Sequence, residues 1–373
     1  MASADPTPSG DITVRQALSG ISERARLLPR VLIITPCAVG ALPTQGAALA
    51  VHLQQAGFRT TVISRAKSSW GRLLDIAVRG SIQASRHDVV VINVYARRAF
   101  VYESVVMLAA WWWRKRSIAF LHHGGMPAFV QRWRRWSQWI LSLPDVVLVP
   151  HDFLAKTLTT LGLRIDGVLP NFVDLTLFPF HERAVLAPRF LYLRGMHSYY
   201  NPEMAIQALA VIQRHYPEAS LTMVGPEGQH SALCRNLVHT LQVHHVHFMG
   251  QVPHEEIPRL AAQHDIHLHT NRIDNMPVSI IEMWACGLPI VGTCVGGIPY
   301  LIRDRHDGLL VPSEDYQAMA AVCLELLSNA GLARTLSRNG RARAETLTWE
   351  QVQTLWLNIL LDRGRMPCVD LQV

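Results

Sequence analysis

Short apolar runs alternate with longer segments of helical periodicity along almost the whole chain. The runs typical of buried strands lie at residues 30–35, 59–64, 89–93, 118–121, 146–149, 190–193, 220–224, 246–249, 266–269 and 289–292. The segments with the apolar spacing of a helix lie at residues 45–56, 101–113, 127–143, 202–215, 278–285, 316–328, 331–347 and 349–361. Strands that alternate with helices in this way form parallel βαβ units. We therefore predict an α/β fold of doubly wound parallel sheets, which bind ligands at the carboxyl ends of their strands.

The strands fall into two sets, which indicates two domains. A chain of 373 residues is longer than a single core of ordinary size. We predict a Rossmann-like domain at residues 29–175 and a second one at 176–348, facing each other across a central cleft. Residues 1–28 have the composition of a mobile polar lead, and residues 349–373 are expected to contain a last helix. The lead lacks the pattern of a signal peptide, and no apolar run reaches the roughly 18 residues of a membrane-spanning helix.

The segment from Asp274 to Pro299 concentrates the chemistry that the sequence offers. Asp274 and Glu282 are separated by seven residues, and a helix start is predicted between them. Pro277 suits the first position of that helix, and Asp274 and Asn275 precede it as capping candidates. A helix N-terminus presents unpaired N–H groups and a partial positive charge, so it attracts anions. Either acid alone is more often a cap or a solvated residue, but together they predict a site for a sugar joined to a phosphate.

The same segment resembles a known family. Asp274, Glu282 and the following Ala-Cys-Gly-Leu-Pro-Ile-Val are similar to the Glu-x7-Glu signature of retaining glycosyltransferases of family 4, which have the GT-B fold. Val-Gly-Gly-Ile-Pro at 295–299 and Asp-Gly-Leu-Leu-Val-Pro at 307–312 continue the pattern. The chain departs from it at the first acid, where Asp replaces Glu, and at Tyr300, where the family often has Glu. The resemblance implies two Rossmann-like domains in the GT-B arrangement, with the last helix crossing back onto the first domain.

The resemblance also implies a reaction and its binding residues. A sugar would pass, with retention of configuration, from a nucleoside-diphosphate sugar to a glycan or lipid-linked acceptor. No metal and no other cofactor would be needed. Glu282 would bind the ribose, Asp274 the sugar hydroxyls, and Gly46, in the loop after the first strand, the donor diphosphate. The expected donor contacts are Gly46, Arg194, Asn201, Asn275, Pro277, Val278, Ser279 and Glu282.

Two strand ends contribute further candidate catalytic groups. His123 follows the strand at 118–121, where an imidazole could bind a sugar hydroxyl or polarise an acceptor, although a structural His is the usual alternative. Arg194 follows the strand at 190–193, and its planar guanidinium suits bidentate binding of a diphosphate, although a surface Arg paired with a nearby acid is an equal alternative. The Lys that the family has shortly after this Arg is missing, and either Asn201 or Tyr200 is expected to donate hydrogen bonds in its place. We predict that Asp274, His123 and Arg194 are the catalytic residues.

A basic and aromatic band is separate from these motifs. It consists of Trp111, Trp112, Trp113, Arg114, Lys115, Arg116, Arg132, Trp133, Arg134, Arg135 and Trp136. No acid occurs between Glu103 and Asp145. Trp and Arg together suit an anionic membrane surface, where each basic residue adds about 1 kcal/mol of attraction. We predict peripheral attachment to such a membrane, next to a lipid-linked acceptor. The alternatives are an aromatic core with a solvated basic face, or a nucleic-acid surface, for which no recognition module is present.

Net charge and cysteine content indicate the kind of partner and the cellular compartment. The formal charge of +7 and the pI near 9.3 favour an anionic partner. The six cysteines show no CxxC pairing, which favours a reducing cytosol, with the protein on the inner face of the membrane. Histidines cluster at 239–247 and 264–269, but no Cys or acid completes a metal site.

Two other functions fit the same residues. A non-catalytic nucleotide-sugar-binding protein of GT-B fold is suggested by the missing Lys and the shortened first acid. A GT-B epimerase would act on a sugar nucleotide without an acceptor.

Overall fold

Two parallel six-stranded sheets organise the chain. The computed structural model describes residues 28–35, 44–63, 71 and 75–361. The first sheet consists of β1 (Val31–Ile34), β2 (Thr60–Ile63), β3 (Val89–Val94), β4 (Arg116–Leu121), β5 (Val146–Val149) and β6 (Gly167–Val168). The second consists of β7 (Arg189–Leu193), β8 (Ser220–Val224), β9 (Val246–Gly250), β10 (Ile266–His269), β11 (Ile290–Thr293) and β12 (Leu309–Val311). Their orders are β2-β1-β3-β4-β5-β6 and β12-β11-β10-β7-β8-β9. The predicted α/β fold with two doubly wound sheets is confirmed.

Helices cover both faces of each sheet. Those of the first half are α1 (Gln45–Gln55), α2 (Ser81–Arg86), α3 (Arg98–Trp112), α4 (Met126–Arg132), α5 (Arg134–Leu141) and α6 (Asp152–Thr160). Those of the second half are α7 (Pro202–Ile212), α8 (Ser231–Thr240), α9 (Ile257–Gln263), α10 (Val278–Ala285), α11 (Ile298–Leu301), α12 (Tyr316–Ser328) and α13 (Ala330–Glu345). The last described helix is α14 (Trp349–Leu361). Among the described residues, no helix has the length and apolarity that crossing a bilayer requires.

The inner strands of both sheets are buried on both faces, which explains why their sequences are continuous apolar runs. All six residues of β3 are buried. Alternate residues of one strand enter different cores: Leu32 packs on the side of α3, whereas Val31 and Ile33 pack on the side of α1. This is the pattern expected of parallel strands sandwiched between helices. Asn93, a polar residue of β3, lies near the carboxyl end, where its amide donates to the Ile34 carbonyl over 3.1 Å.

The chain returns to the first domain at its last described helix. Trp349 and Trp356 of α14 are buried in the same core as Val31 of β1. Arg116, at the start of β4, donates to the Ile359 carbonyl over 2.8 Å. The segments that pass between the domains meet where Val173 pairs with Thr348 as an isolated parallel bridge. The first domain is therefore completed by a helix that follows the second domain in sequence.

Several elements differ from those predicted. The helix expected at 127–143 is two helices, because the backbone leaves the helical region at Trp133 (φ −120°, ψ 43°). The sequence does not predict the short edge strands β6 and β12 or the helices α2, α6, α8, α9 and α11. Strands of two or three residues show no measurable alternation, and they form here only because a neighbouring strand pairs with them.

Candidate active site

The second sheet reverses its strand order between β7 and β10. The chain passes from β7 outward to β8 and β9 and then returns to form β10 on the other side of β7. The crevice at such a switch point is where doubly wound sheets bind ligands. Arg194 follows β7 directly, and Asp274 lies in the loop after β10. Their side chains meet there, with Arg194 Nη2 at 2.9 Å from Asp274 Oδ2.

Other groups fix the Asp274 carboxylate in place. His269 Nε2 lies 3.2 Å from Oδ2, and the side-chain amide of Asn271 donates to the same oxygen. The backbone N–H of Asn275 donates to Oδ1 over 2.7 Å. Burial would raise the pKa of Asp274, but Arg194 and His269 hold that pKa well below its usual range. Burial lowers the pKa of His269, so a neutral imidazole contacts the carboxylate. Asp274 is therefore a permanently ionised group in a fixed orientation.

The start of α10 differs from the prediction in detail. Pro277 is the residue before the helix (φ −70°, ψ 122°), rather than its first helical residue, and the helix begins at Val278. Asp274 faces Arg194, and no side chain in the described part of the chain caps this helix. The hydroxyl of Ser279 is buried and has no partner among the described residues. An uncapped N-terminus with a free hydroxyl in its first turn suits an anionic oxygen.

An open cavity of about 360 Å³ extends from Arg194 along the carboxyl end of the second sheet. We call it the Arg194 cavity; its lining includes Gly195, Tyr199, Tyr200, Gly225, Pro226, Gln251, Val252, Ser279 and Glu282. Gly225 is required there, because its φ is 152° and a Cβ would lie 2.3 Å from the Arg194 carbonyl oxygen. The volume falls within the range of small-molecule sites.

The Arg194 guanidinium has the positive charge and a donor with which to bind an anion. Its carbon lies 5.3 Å from the centre of the Tyr200 ring, and its Nε is buried with no partner among the described residues. Burial would lower the pKa of Arg194, but Asp274 outweighs this effect and raises it. Burial raises the pKa of Tyr200 to about 12, so its hydroxyl stays protonated.

Glu282 lies in the wall of the Arg194 cavity and is held by His254. His254 Nε2 lies 2.7 Å from Glu282 Oε1, and Glu282 is largely buried. Burial would lower the pKa of His254, but the hydrogen bond and the charge of Glu282 raise it. Ser279 and Glu282 are three residues apart on α10, so both face the cavity from one side of the helix.

His123 approaches the same centre from the first domain. Its Nδ1 accepts a hydrogen bond from the Gly125 N–H over 2.9 Å, which leaves Nε2 to carry the proton of the neutral ring. Burial, followed by the charge of Arg97, lowers the pKa of His123. At Gly124 a Cβ would lie 2.9 Å from the Asp274 carbonyl carbon, so the two backbones are in contact. The structure thus brings His123, Asp274 and Arg194 together.

Asn275 occupies a position different from the one expected. Its side-chain amide bonds to the ring of His151 and donates to the His122 carbonyl over 3.2 Å, both in the first domain. Nearby, Asn171 donates to the Met276 carbonyl over 2.7 Å. Burial lowers the pKa of His151 to about 4, so its ring is neutral at pH 7. These contacts make the Asn275 side chain a link between the domains rather than a free donor contact.

Two other expected donor contacts are also engaged elsewhere. The Asn201 amide donates to Glu314 over 3.3 Å, and its backbone is left-handed (φ 47°). Gly46 lies in the first turn of α1, where a Cβ would be 2.5 Å from the Asn93 amide nitrogen and 2.8 Å from Thr35. Gly46 therefore lets α1 pack closely on the strand ends. The loop before it, residues 36–43, lies outside the described residues.

The basic and aromatic band is split between opposite edges of the first sheet. The 15 residues of α3 carry the chain about 22 Å, from the cleft to the amino edge of the sheet. At that edge Trp111, Trp112 and Trp113 are 55%, 72% and 51% exposed. Arg114 and Lys115 lie beside them, whereas Arg116 bonds to the Ile359 carbonyl.

The remainder of the band lies on α4 and α5. Arg132, Trp133 and Trp136 line a second cavity, of about 580 Å³, together with His123. Arg134 and Arg135 are exposed outside it. Trp136 is half-buried, and its ring lies edge-on to that of Phe100 with the ring centres 4.9 Å apart. The length of α3 separates the patch at 111–116 from the patch at 132–136, although the two are close in sequence.

Sequence reasoning missed several groups at the centre. His269 and Asn271 hold Asp274, His254 holds Glu282, and Tyr199 lines both cavities. His269 has a sequence signal, because it ends a predicted strand, whereas the sequence suggests for it only a metal-ligand role. The described residues contain no group of His, Cys, Asp and Glu that could hold a metal ion.

Known proteins are similar to this chain in sequence. Residues 178–343 match the family model described as Glycosyl transferases group 1. D-inositol 3-phosphate glycosyltransferase of Jonesia denitrificans is 28% identical over 189 residues, 49% of this chain and 43% of the relative. N-acetyl-alpha-D-glucosaminyl L-malate synthase of Bacillus anthracis is 29% identical over 164 residues, 42% of each chain. The chain matches less than half the length of these relatives.

Solved structures share the whole architecture. Anabaena Alr3699/HepE, in complex with UDP and glucose, superposes with a TM-score of 0.71 at 17% identity, covering 90% of this chain and 100% of that one. Sucrose-phosphate synthase of Thermosynechococcus elongatus superposes with a TM-score of 0.70 at 19% identity, covering 88% and 98%. The chain therefore has the GT-B fold, and its residues 178–343 match the group 1 glycosyl transferases.

Proposed function

We propose that this protein is a retaining glycosyltransferase of the family 4 type. It moves a sugar from a nucleoside-diphosphate sugar to an acceptor held against the first domain. One observation carries the proposal: the Arg194–Asp274 pair lies at the switch point, next to a cavity of about 360 Å³ and in contact with the His123 loop. The relatives named as glycosyltransferases, and HepE with its bound UDP and glucose, support it.

The donor is expected to lie along the second sheet. Its base and ribose occupy the Arg194 cavity, where Glu282 accepts hydrogen bonds from ribose hydroxyls. Its diphosphate lies at the uncapped start of α10, near the N–H groups of Val278 and Ser279 and the free Ser279 hydroxyl. The Nε of Arg194, which has no partner in the described part of the chain, binds the same diphosphate.

The sugar is expected to be transferred at the centre formed by Arg194, Asp274 and His123. The bond between the sugar C1 and the diphosphate oxygen breaks, and the acceptor hydroxyl attacks C1 from the same face. The acceptor's proton passes to the departing diphosphate oxygen, so no protein nucleophile takes part. Arg194 and the α10 N–H groups stabilise the charge on the diphosphate, and ionised Asp274 stabilises the positive charge at the sugar ring. His123, neutral and with Nε2–H, hydrogen-bonds a sugar or acceptor hydroxyl.

We also propose where in the cell the protein acts. We expect a protein of the cytosol, attached to the inner face of a membrane through the exposed tryptophans at 111–113. The free thiols of Cys234, Cys286, Cys294 and Cys323 support a reducing compartment.

The test is turnover of a sugar nucleotide. Thermal shift with UDP, GDP and ADP and their sugars identifies the donor, because a ligand at 100 times its Kd stabilises by about 2.7 kcal/mol. The preferred donor is then incubated with a membrane extract, and release of nucleoside diphosphate is measured. NMR of the product gives the anomeric configuration, where retention is expected. Binding without any release would instead support a non-catalytic protein, and an inverted sugar nucleotide formed without acceptor would support an epimerase.

A further inference from the structure

The second cavity lies beside the proposed reaction centre and has an unusual lining. We call it the Arg97 cavity; it measures about 580 Å³. Its charged wall consists of Arg97, Arg98 and Arg132, and its apolar wall includes Phe129, Trp133 and Trp136. No acid occurs among its described lining residues. None of the three arginines forms an ion pair with a described carboxylate.

Two of these arginines lie at the N-terminus of a helix, where the helix dipole disfavours positive charge. Arg97 precedes α3 and Arg98 is its first residue, so both lie at the positive end of the helix dipole. Arg97 also has a φ of 69°, a backbone conformation that non-glycine residues rarely adopt. The acid of α3, Glu103, is buried and accepts from the Tyr95 N–H over 2.9 Å. Burial raises the pKa of Glu103, and its carboxyl contacts the Tyr95 N–H rather than either guanidinium.

Two of the three guanidinium groups lie over aromatic rings. Arg97 lies 6.0 Å from the centre of the Tyr199 ring, and Arg132 lies 5.8 Å from that of Trp133. Cations that line one cavity beside a positive helix end are stabilised by an anion bound among them. The rings of Phe129, Trp133 and Trp136 add a largely apolar surface beside them.

The position of the cavity connects it to the transfer. Tyr199 lines both this cavity and the Arg194 cavity. His123 lies in its wall, and Ile273, which also lines it, directly precedes Asp274. An occupant of the Arg97 cavity therefore reaches the centre where the sugar C1 is expected.

We propose that the Arg97 cavity binds the acceptor, and that this acceptor is an amphiphile bearing a phosphate. The phosphate lies between Arg97, Arg98 and Arg132, and the hydrocarbon lies along Phe129, Trp133 and Trp136. The assignment as acceptor rests on the proposed function, whereas the binding of a phosphate amphiphile does not. The two claims can therefore fail separately.

The experiment compares three probes in the full chain: octyl phosphate, neutral octyl glucoside and inorganic phosphate. Binding is measured by calorimetry and by quenching of tryptophan fluorescence. We expect octyl phosphate to bind at least tenfold more tightly than either of the others. Equal binding of octyl glucoside would overturn the anion site, and equal binding of inorganic phosphate would overturn the apolar wall.

Variants locate the site. The triple change Arg97→Gln, Arg98→Gln and Arg132→Gln should weaken octyl phosphate binding at least tenfold and leave UDP binding unchanged. The control removes three exposed arginines elsewhere: Arg59→Gln, Arg86→Gln and Arg214→Gln. An equal loss in the control would mean that net charge alone attracts the probe, and no loss in the triple variant would refute the site.

A second variant tests the site even if the triple variant does not fold. Trp133 is half exposed, so Trp133→Ala is expected to fold, as checked by circular dichroism. It should weaken octyl phosphate but not inorganic phosphate. Arginine-dependent binding in a protein that turns over no sugar nucleotide would retain the site and reject the proposed transferase. Donor hydrolysis that persists in the triple variant, with transfer lost, would support both claims.

Discussion

The Arg194→Ala change separates the two roles that the structure assigns to Arg194. The side chain pairs with Asp274 at 2.9 Å, and the pair is mostly buried, with 21% of Arg194 and 15% of Asp274 exposed. Its guanidinium also faces the cavity where the diphosphate is expected. The change should therefore reduce both stability and turnover, for different physical reasons.

The magnitudes follow from what remains after the change. Loss of one preorganised group that stabilises transition-state charge costs about 100- to 1,000-fold in kcat. Breaking a buried ion pair costs about 3–5 kcal/mol when the surviving charge is left alone. Here Asp274 keeps Asn271 and the Asn275 N–H as donors. We therefore expect a smaller loss of stability, about 1–3 kcal/mol.

A second substitution tests this reasoning. In Arg194→Ala with Asp274→Asn, the buried carboxylate is replaced by a neutral amide, so most of the stability should return while turnover stays lost. Urea unfolding followed by circular dichroism gives the stabilities, and release of nucleoside diphosphate gives kcat. A double variant no more stable than the single one would refute the argument from an uncompensated charge. Wild-type turnover in the single variant would remove Arg194 from the site.

Three further predictions concern the domain contact and the surface. Gly124→Ala places a Cβ 2.9 Å from the Asp274 carbonyl carbon and should shift the reacting groups, so kcat should fall up to about 100-fold while UDP binding, measured by calorimetry, is kept. His151 has a pKa lowered to about 4 in the folded state against about 6.5 when unfolded, so its contribution is complete above pH 6.5 and is lost as the pH falls towards 4. The free energy of unfolding should drop by up to about 3 kcal/mol over that window, and His151→Gln should flatten the slope; an unchanged slope would contradict the assignment. Replacing the tryptophans at 111–113 by alanine should abolish flotation with vesicles of anionic lipid, whereas Trp139→Ala, which is 55% exposed on α5, should not; equal flotation of both variants would refute membrane attachment through this patch.

The sequence predicted what depends on local pattern. Continuous apolar runs such as β3 required burial on both faces, and that requirement fixed the parallel sheets. Asp274, Glu282 and Arg194 were found because each sits at a strand end or helix with a recognisable local signal. The resemblance to family 4 glycosyltransferases named the fold from one segment of the second domain.

The partners of those residues depended on the tertiary structure. Arg194 meets Asp274, 80 residues away in sequence, only because β7 and β10 are neighbouring strands, and Asn275 reaches His151 only because the two domains contact each other. The two halves of the basic band look adjacent in sequence but are separated by the length of α3.

The sequence by itself therefore determined the sheets, the order of the strands along the chain and the residues that end them. These features follow from hydrophobic periodicity and turn chemistry, which act over a few residues. Only the tertiary structure decided which ends meet, which donors are already engaged, and which arginines line one cavity without a described carboxylate partner. Such contacts join residues far apart in the chain, and burial and charge act between them through space.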